Sequence, residues 1–131
     1  MILDLKLKGS GVVAVSGFAM DNKTSSGLLT LLDEMALSEI SKIENFRLVE
    51  RQKIEAVLQE QELALSDLMD TSHAIQIGVL LAANYIVTGP VIEMASTVVI
   101  FGRIINVETG EVESVAKVLV PKDADVKKLL T

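Results

Sequence analysis

Acidic side chains are the first candidates for chemistry in this chain, because several glutamates stand close together. The pairs are Glu60 with Glu62, Glu108 with Glu111, and Glu111 with Glu113. Catalysis by a carboxylate pair needs one carboxyl group in an apolar pocket while its neighbour stays ionised. Each pair falls at the polar end of a predicted helix or in a predicted hairpin. We therefore interpret them as solvated surface residues and predict no catalytic carboxylate.

The single histidine, His73, is the next candidate, because imidazole is a common general base near neutral pH. Asp70 could orient it, and Ser66 and Ser72 are close in sequence. The strand–turn–helix elbow that usually presents a serine nucleophile is not found around them. The sequence therefore predicts that His73 lies in the first turn of a helix, without a catalytic role.

Two glycine-containing segments, residues 9–11 and 25–27, could offer backbone amides to an anion. Neither has the spacing of a dinucleotide-binding loop, and no Lys-Ser or Lys-Thr follows to make a P-loop. The chain has no cysteine and one histidine, and its acidic residues lack an EF-hand spacing. We predict no cofactor-binding residue and no metal site.

The composition narrows the classes of function further. The chain has 131 residues, of which 50% are apolar and 23% charged, a balance typical of one globular domain, expected to span residues 1–131. A net charge of -6 repels phosphate backbones, and an aromatic content of 3% leaves few side chains for base stacking. We therefore expect a binding or assembly domain that is not an enzyme and does not bind nucleic acid.

Residues 71–92 carry no charged side chain, and their number fits a membrane-spanning helix of about 20 residues. Polar residues within the segment and the helix-breaking pair Gly89-Pro90 argue against such a span. We predict instead a buried helix that runs to about Ala83, followed by a buried strand. Asn84 would end the helix in the left-handed conformation.

Apolar periodicity predicts the order β, β, α, β, α, α, β, β, β, α and therefore an α/β (α+β) fold. In this fold a mixed sheet of about five strands carries the helices. The strand at residues 98–107 is apolar on both faces, so we expect both faces to be covered. The first two strands, residues 3–7 and 12–18, are predicted to pair as a hairpin. The other strands are residues 46–49, 85–92 and 112–120, and the helices start near residues 28, 50, 71 and 124.

Three segments read together carry a resemblance to a known family. They are the buried strand at residues 12–18, the strand and helix start at 46–61, and the strand at 82–89 with its later hairpin at 102–112. Over residues 12–118 the chain resembles the curli production assembly/transport (CsgG-like) family. The periplasmic domain of that family is also similar to LpoB-like lipoproteins, which activate penicillin-binding proteins.

The residues that carry the resemblance are interpreted as fold-making. The helix dipole favours Glu50 at a helix start, and the neighbouring Arg51 can reach a carboxylate or strand carbonyls. Gly89 permits close backbone approach, and Gly110 permits a tight turn. The full set of signature positions is Phe18, Glu50, Arg51, Glu60, Thr88, Gly89, Thr109, Gly110 and Glu111.

The sequence departs from the curli channel at the membrane hairpins of that channel. The strand that corresponds to residues 85–92 is followed there by an inserted hairpin, which needs about 20 residues plus a turn. Here residues 93–97 alone separate two strands, and we expect no second insertion after the last strand, because the sequence continues only briefly after Pro121. The resemblance therefore implies a CsgG-like domain without membrane hairpins and without a direct membrane span. Pro90, which lacks a backbone donor, suggests an edge, bulge or strand end.

The resemblance implies a non-enzymatic cell-envelope domain for assembly or secretion. Such a domain acts through contacts with envelope proteins and through self-association into a homo-oligomer. It implies a periplasmic location, with a tether to the outer membrane where the full gene product carries a lipidated cysteine upstream of Met1. The LpoB-like resemblance implies an alternative, a regulator that docks on a peptidoglycan synthase. A small hydrolase or ligand-binding protein is a third alternative.

Overall fold

Segments with strand periodicity form one five-stranded sheet, and segments with helical periodicity pack on its two faces. The computed structural model describes residues 9–20 and 27–130. Its strands are β1 (Gly11–Met20), β2 (Phe46–Leu48), β3 (Tyr85–Glu93), β4 (Thr97–Asn106) and β5 (Val112–Pro121). Its helices are α1 (Gly27–Ser41), α2 (Arg51–Glu60), α3 (Thr71–Leu80) and α4 (Ala124–Leu130), and a short 3₁₀ helix, Leu65–Met69, precedes α3.

The strand order is β2-β1-β3-β4-β5, which confirms the mixed sheet. β1 runs parallel to both of its neighbours, β2 and β3, because helical crossovers connect these strands. β4 runs antiparallel to β3 and β5, to which short turns join it. Within the described residues, β2 and β5 are therefore the edge strands, and β5 is the longer of the two.

Two apolar cores lie on opposite faces of the sheet. On the first face, Val13 and Ile100 lie in a core with buried residues of α1 and α4. On the second face, Ala14 and Ile86 lie in a core with buried residues of α2, α3 and the 3₁₀ helix. Neighbours such as Val13 and Ala14 enter different cores because successive side chains of a strand point to opposite faces.

The uncharged segment 71–92 forms helix α3 followed by strand β3, as the sequence predicts. Asp70 caps this helix, since its Oδ1 accepts a hydrogen bond from the Ser72 N–H at 2.9 Å. Asp123 caps α4 in the same way, through the Val126 N–H at 2.9 Å. No helix among the described residues is long and apolar enough to cross a membrane.

The predicted role of Asn84 is wrong. Ala82 takes the left-handed conformation after α3, with a φ of 54°. Asn84 instead extends the β1–β3 pairing, because its Oδ1 accepts the Val12 N–H at 2.8 Å and its own N–H donates to the Val12 carbonyl at 2.8 Å. A short amide side chain can replace a backbone carbonyl in this way. The residue therefore fixes the start of β3 rather than the end of α3.

Of the three predicted settings of Pro90, an edge, a bulge or a strand end, the edge and the strand end are wrong, because Pro90 lies inside β3, the middle strand. The pairing of β3 with β4 is interrupted beside it, since the register passes from Thr88↔Arg103 to Val91↔Ile100 without a pair between. Pro90 has no N–H to donate, and the interruption places it where no ladder hydrogen bond to β4 is needed. The irregular pairing allows a proline inside a central strand.

Two sequence predictions fall on residues outside the described ranges. One is the strand at residues 3–7, together with its hairpin to β1. The other is most of the loop at residues 25–27, of which Gly27 alone is described, as the first residue of α1.

Candidate functional site

Several signature positions gather around an irregularity in β1, where its register with β3 shifts between Val15 and Gly17. Ser16, at the shift, is fully buried, and its hydroxyl donates to the Val87 carbonyl at 2.9 Å. Gly17 has a φ of 116°, which a residue with a side chain rarely adopts. The shift turns the Phe18 N–H toward α1, where Asp33 Oδ1 accepts it at 3.0 Å.

Arg51 and Asp33 complete this polar cluster. Arg51 Nη1 donates to the Ser16 carbonyl at 3.1 Å, and its Nη2 lies 3.6 Å from Asp33 Oδ2. The guanidinium thus contacts both a carboxylate and a strand carbonyl, the two kinds of partner that the sequence predicts for Arg51. Burial raises the pKa of Asp33, while the Phe18 N–H and Arg51 oppose that rise. The cluster joins α1, α2 and β1.

Thr88 and Gly89 lie beside the same irregularity, in β3. Thr88 is fully buried, and its hydroxyl donates to the Gly17 carbonyl at 3.4 Å. A Cβ on Gly89 would overlap the carbonyl oxygen of Phe101, so the close approach of β3 and β4 requires glycine. Phe18, which is 1% exposed, belongs to the core of the first face.

The remaining signature positions lie elsewhere and do not form one site with the cluster. Thr109 Oγ1 accepts the Glu111 N–H at 3.2 Å, and Gly110 has a φ of 77°, so these three residues shape the β4–β5 turn. Glu50 is exposed directly before α2, and Glu60 is exposed at the end of that helix. The structure therefore places the signature in a central cluster, in a turn and at two helix ends.

The enzyme candidates are distributed in the same separate way. His73 is partly buried, and its Nδ1 lies 3.3 Å from the Asp67 carbonyl oxygen. All members of the glutamate pairs are exposed: Glu60, Glu62, Glu108, Glu111 and Glu113. A groove of about 490 Å³ beside β2 is lined by residues that include Glu50 and Lys53, but not His73. Among the described residues, no three metal-binding side chains are grouped as a metal site would require.

The second face of the sheet carries a surface that the sequence did not predict. Helices α2 and α3 cover the half of this face in which Ile86 and Ile105 are buried. Among the described elements, none covers the other half, which lies toward the β3–β4 turn. Three apolar residues of this open face are exposed, namely Ile92, Val115 and Leu119, and three are partly buried, namely Pro90, Val99 and Phe101.

Strand registers show that the open face is continuous. Val99 is paired with Ile92 on one side and with Leu119 on the other, so these three side chains form one row across the sheet. Phe101 is paired with Lys117 in the next row. The exposed fractions are 44% for Ile92 and 61% for Leu119. Contiguous exposed apolar side chains of this kind are typical of an interaction surface.

Positive charge lies within and beside the open face. Lys117 is exposed in the row of Phe101. In the row after that, Arg103 is paired with Val115, and its Nη2 donates to the Met69 carbonyl at 2.9 Å. The Nε of Arg103 is buried and has no hydrogen-bond partner within the part of the chain that the structure describes. The expectation that both faces of β4 are covered is met only in part at this end, where Val99 and Phe101 are partly exposed and, among the described elements, α2 and α3 reach only the other end.

The family model described as curli production assembly/transport component CsgG matches residues 6–102. The chain belongs to the CsgG family. No curated protein sequence matches it.

Solved structures share the fold of this CsgG family member. The LpoB C-terminal domain from Salmonella enterica has 19% identity and a TM-score of 0.68, with 88% of this chain and 86% of that chain covered. The corresponding domain from Escherichia coli has 19% identity and a TM-score of 0.63, with 86% and 84% covered. Lipoprotein GNA1162 from Neisseria meningitidis has 12% identity and a TM-score of 0.63, with 87% and 81% covered. Both similarities inferred from the sequence, to CsgG-like and to LpoB-like proteins, are confirmed.

Proposed function

We propose that this chain is a non-enzymatic domain of the bacterial cell envelope that acts through protein contacts, including self-association. The observation that carries the proposal is the open face, where six apolar residues lie together beyond the reach of α2 and α3. The release of water from such a surface, when a partner covers it, lowers the free energy of the system. The polar cluster of Ser16, Asp33 and Arg51, in contrast, holds helices α1 and α2 to the sheet.

Membership of the CsgG family supports an envelope role in assembly or secretion, at the periplasmic side of the outer membrane. Two of the solved folds support the same setting, because one is named a lipoprotein and another the C-terminal domain of LpoB. We infer that a lipid anchor, where the full gene product has one, would hold the domain near that membrane. The signature positions would then serve to build the scaffold that presents the open face.

The chemistry of the open face also describes the partner that fits it. Ile92, Val99 and Leu119 would contact an apolar surface, whereas Lys117 stands where a carboxylate would pair with it. Lys117 is exposed, so this pair would add specificity more than affinity. We therefore infer an envelope protein whose docking surface is apolar with acidic residues at its rim.

Capture from envelope extracts of the source organism tests this function. We compare the wild-type chain with the double variant I92K/L119K and with a matched control, V79K/L80K. The control residues lie on α3 and are similarly exposed, at 63% and 48%, against 44% and 61% on the open face. We expect one envelope protein to be captured by the wild type and the control, and at least tenfold less by I92K/L119K.

Equal capture by both double variants would contradict the proposal, as would a wild-type chain that captures no envelope protein. Thermal unfolding of all three chains checks that the lysines have not unfolded the domain. The captured protein is identified by mass spectrometry and then purified, and its affinity for the three chains is measured directly.

A second candidate function is a regulator that docks on a peptidoglycan synthase. The observation that favours it is the likeness to the LpoB C-terminal domain over 88% of this chain. A reconstituted synthase assay tests it, with a synthase from the same cell. Stimulation by the wild type and not by I92K/L119K would favour this candidate, and no stimulation of any such synthase would remove it.

A further inference from the structure

β5 is an edge strand, and its outer edge meets no strand among the residues that the structure describes. It is 10 residues long, and two of its apolar side chains are well exposed, Val115 at 60% and Leu119 at 61%. The N–H and C=O groups along such an edge have no partners in the sheet, so they form a template for another strand. The side chains of β5 decide which strand can use that template.

The charged residues of β5 are arranged symmetrically about Val115. Glu113 stands two residues before it and Lys117 two residues after it, and both are exposed. Glu113 lies at a register shift of β5, and its carboxylate accepts a hydrogen bond from Asn106 Nδ2 of β4 at 2.9 Å, so pairing with a second copy must share or replace this contact. The strand carries opposite charges two residues before and two residues after an exposed apolar centre.

This symmetry matches the geometry of two identical antiparallel strands. When Val115 faces Val115 of a second copy, Glu113 of each copy faces Lys117 of the other. Opposite charges in directly facing positions stabilise an antiparallel pair, and like charges destabilise it. A register displaced by two residues in one direction would face Lys117 with Val115 and lose both charge pairs, whereas displacement in the other direction would face Lys117 with Glu111, which precedes β5. Among residues of β5 itself, the register centred on Val115 is therefore the one that forms both charge pairs.

We propose that β5 pairs antiparallel with β5 of a second copy, centred on Val115, so that two five-stranded sheets become one of ten strands. The proposal rests on the self-association that forms part of the proposed function, and it names the surface and the register. Lys117 and Pro121 discourage pairing with an unmatched strand, whereas a second β5 supplies the matching carboxylate. The dimer presents two open faces side by side.

A single introduced cysteine tests the register, because the natural chain contains none. In the proposed dimer Val115 faces its own counterpart, with Cβ atoms about 4.5–5.5 Å apart, near the range that a disulfide spans. V115C should therefore form a disulfide-linked dimer under mild oxidation. Analytical ultracentrifugation of the reduced protein should show a dimer that dissociates in the micromolar range.

Two matched controls carry a cysteine with nearly the same exposure. In the proposed register Leu119 lies eight residues along the strand from its counterpart, roughly 26 Å at the strand rise of about 3.3 Å per residue. Val79 is 63% exposed on α3. Neither L119C nor V79C should form the linked dimer. Disulfide formation by L119C in place of V115C would overturn the proposal.

Charge reversal tests the proposed pairing independently. In K117E, both charge pairs of the dimer become pairs of glutamates, which should weaken the dimer at least tenfold. In E113K, both become pairs of lysines, which should weaken it as much. The exchanged variant E113K/K117E restores opposite charges and should return the dissociation constant to within threefold of the wild type. Circular dichroism confirms folding of each variant, since E113K also removes the contact with Asn106.

The outcomes separate this inference from the function on which it rests. A wild-type dimer that is insensitive to charge reversal and not cross-linked through V115C would keep self-association and exclude the β5 interface. A chain that stays monomeric at concentrations of several hundred micromolar would exclude both. Capture of an envelope partner through the open face is measured separately and would stand in either case.

Discussion

At the residue scale, Asp33 shows how one carboxylate connects elements of the fold. It lies on the buried side of α1, four residues after the buried Leu29 and three before the buried Ala36. Its partners are the Phe18 N–H, at 3.0 Å from Oδ1, and the Arg51 guanidinium, with Nη2 at 3.6 Å from Oδ2. Burial raises the pKa of its carboxyl group despite both partners. The residue therefore couples the stability of the fold to pH.

The sign of this coupling follows from the raised pKa of Asp33. The folded state holds the proton more tightly than the unfolded state, so the contribution of Asp33 to stability grows as the pH falls through its folded pKa and is lost as the pH rises. In D33N the side chain cannot titrate, while its amide oxygen can still accept the Phe18 N–H. We expect the unfolding free energy of the wild type, relative to D33N, to increase between pH 7 and about pH 4.

Urea unfolding at the two pH values measures this difference. The control E44Q removes the same charge from an exposed residue that does not contribute to the raised pKa of Asp33, and it reports the effect of net charge. A gap between wild type and D33N that stays constant, or that moves against the wild type at low pH, would contradict the assigned role of Asp33.

At the scale of elements, the close approach of β3 and β4 depends on Gly89. A Cβ at this position would overlap the backbone carbonyl of Phe101, and a backbone atom cannot rotate away as a side chain does. We expect G89A to lower the unfolding free energy by about 3 kcal/mol or more, because the two central strands must separate. Chemical denaturation measures the loss.

The matched control is G27A, at the start of α1. The added Cβ there would meet the Leu129 side chain at 3.1 Å and the Leu129 carbonyl oxygen at 3.3 Å, contacts that a small shift of the side chain and of α4 relieves. We expect its unfolding free energy to change by less than about 1 kcal/mol. If G89A were as stable as G27A, the tight β3–β4 approach would not be a requirement of the fold.

The elements that can be predicted from the sequence are those whose causes lie in neighbouring residues of the chain. Helix α3 and strand β3 follow from apolar periodicity, and Gly110 in its turn follows from the need for a positive φ. The position of Arg51 next to Glu50 at a helix start predicts that its side chain can reach a carboxylate or strand carbonyls. The sequence could not identify that carboxylate as Asp33. The register shift in β1, which turns the Phe18 N–H toward Asp33, arises only when β1 pairs with β3. One signal was available, a carboxylate on the apolar stripe of α1.

The errors have long-range causes. Ala82, not Asn84, takes the left-handed position, since the Asn84 side chain forms its hydrogen bond with Val12, which is distant in sequence. The apolar pattern of β4 is typical of a strand covered on both faces. The lengths and placement of α2 and α3 decide that Val99 and Phe101 stay partly exposed. The open face, the candidate site itself, could therefore be found only in the assembled fold.

At the scale of the whole molecule, the domain is a scaffold whose polar residues hold helices and whose apolar residues include an uncovered group. The net charge of -6 keeps the surface as a whole acidic, so Lys117 and the open face stand out as a distinct region. Membership of the CsgG family supports the envelope as the place where that region meets its partners. The central claim is that contact through the open face is what the domain does.

Site-specific photo-crosslinking in living cells of the source organism tests that claim most directly. p-Benzoylphenylalanine is placed at Leu119 on the open face or at Val79 on α3, which are 61% and 63% exposed. We predict that irradiation links an envelope protein to the chain from position 119 and not from position 79. Equal crosslinking from both positions, crosslinks to cytoplasmic proteins alone, or none from position 119 would contradict the account.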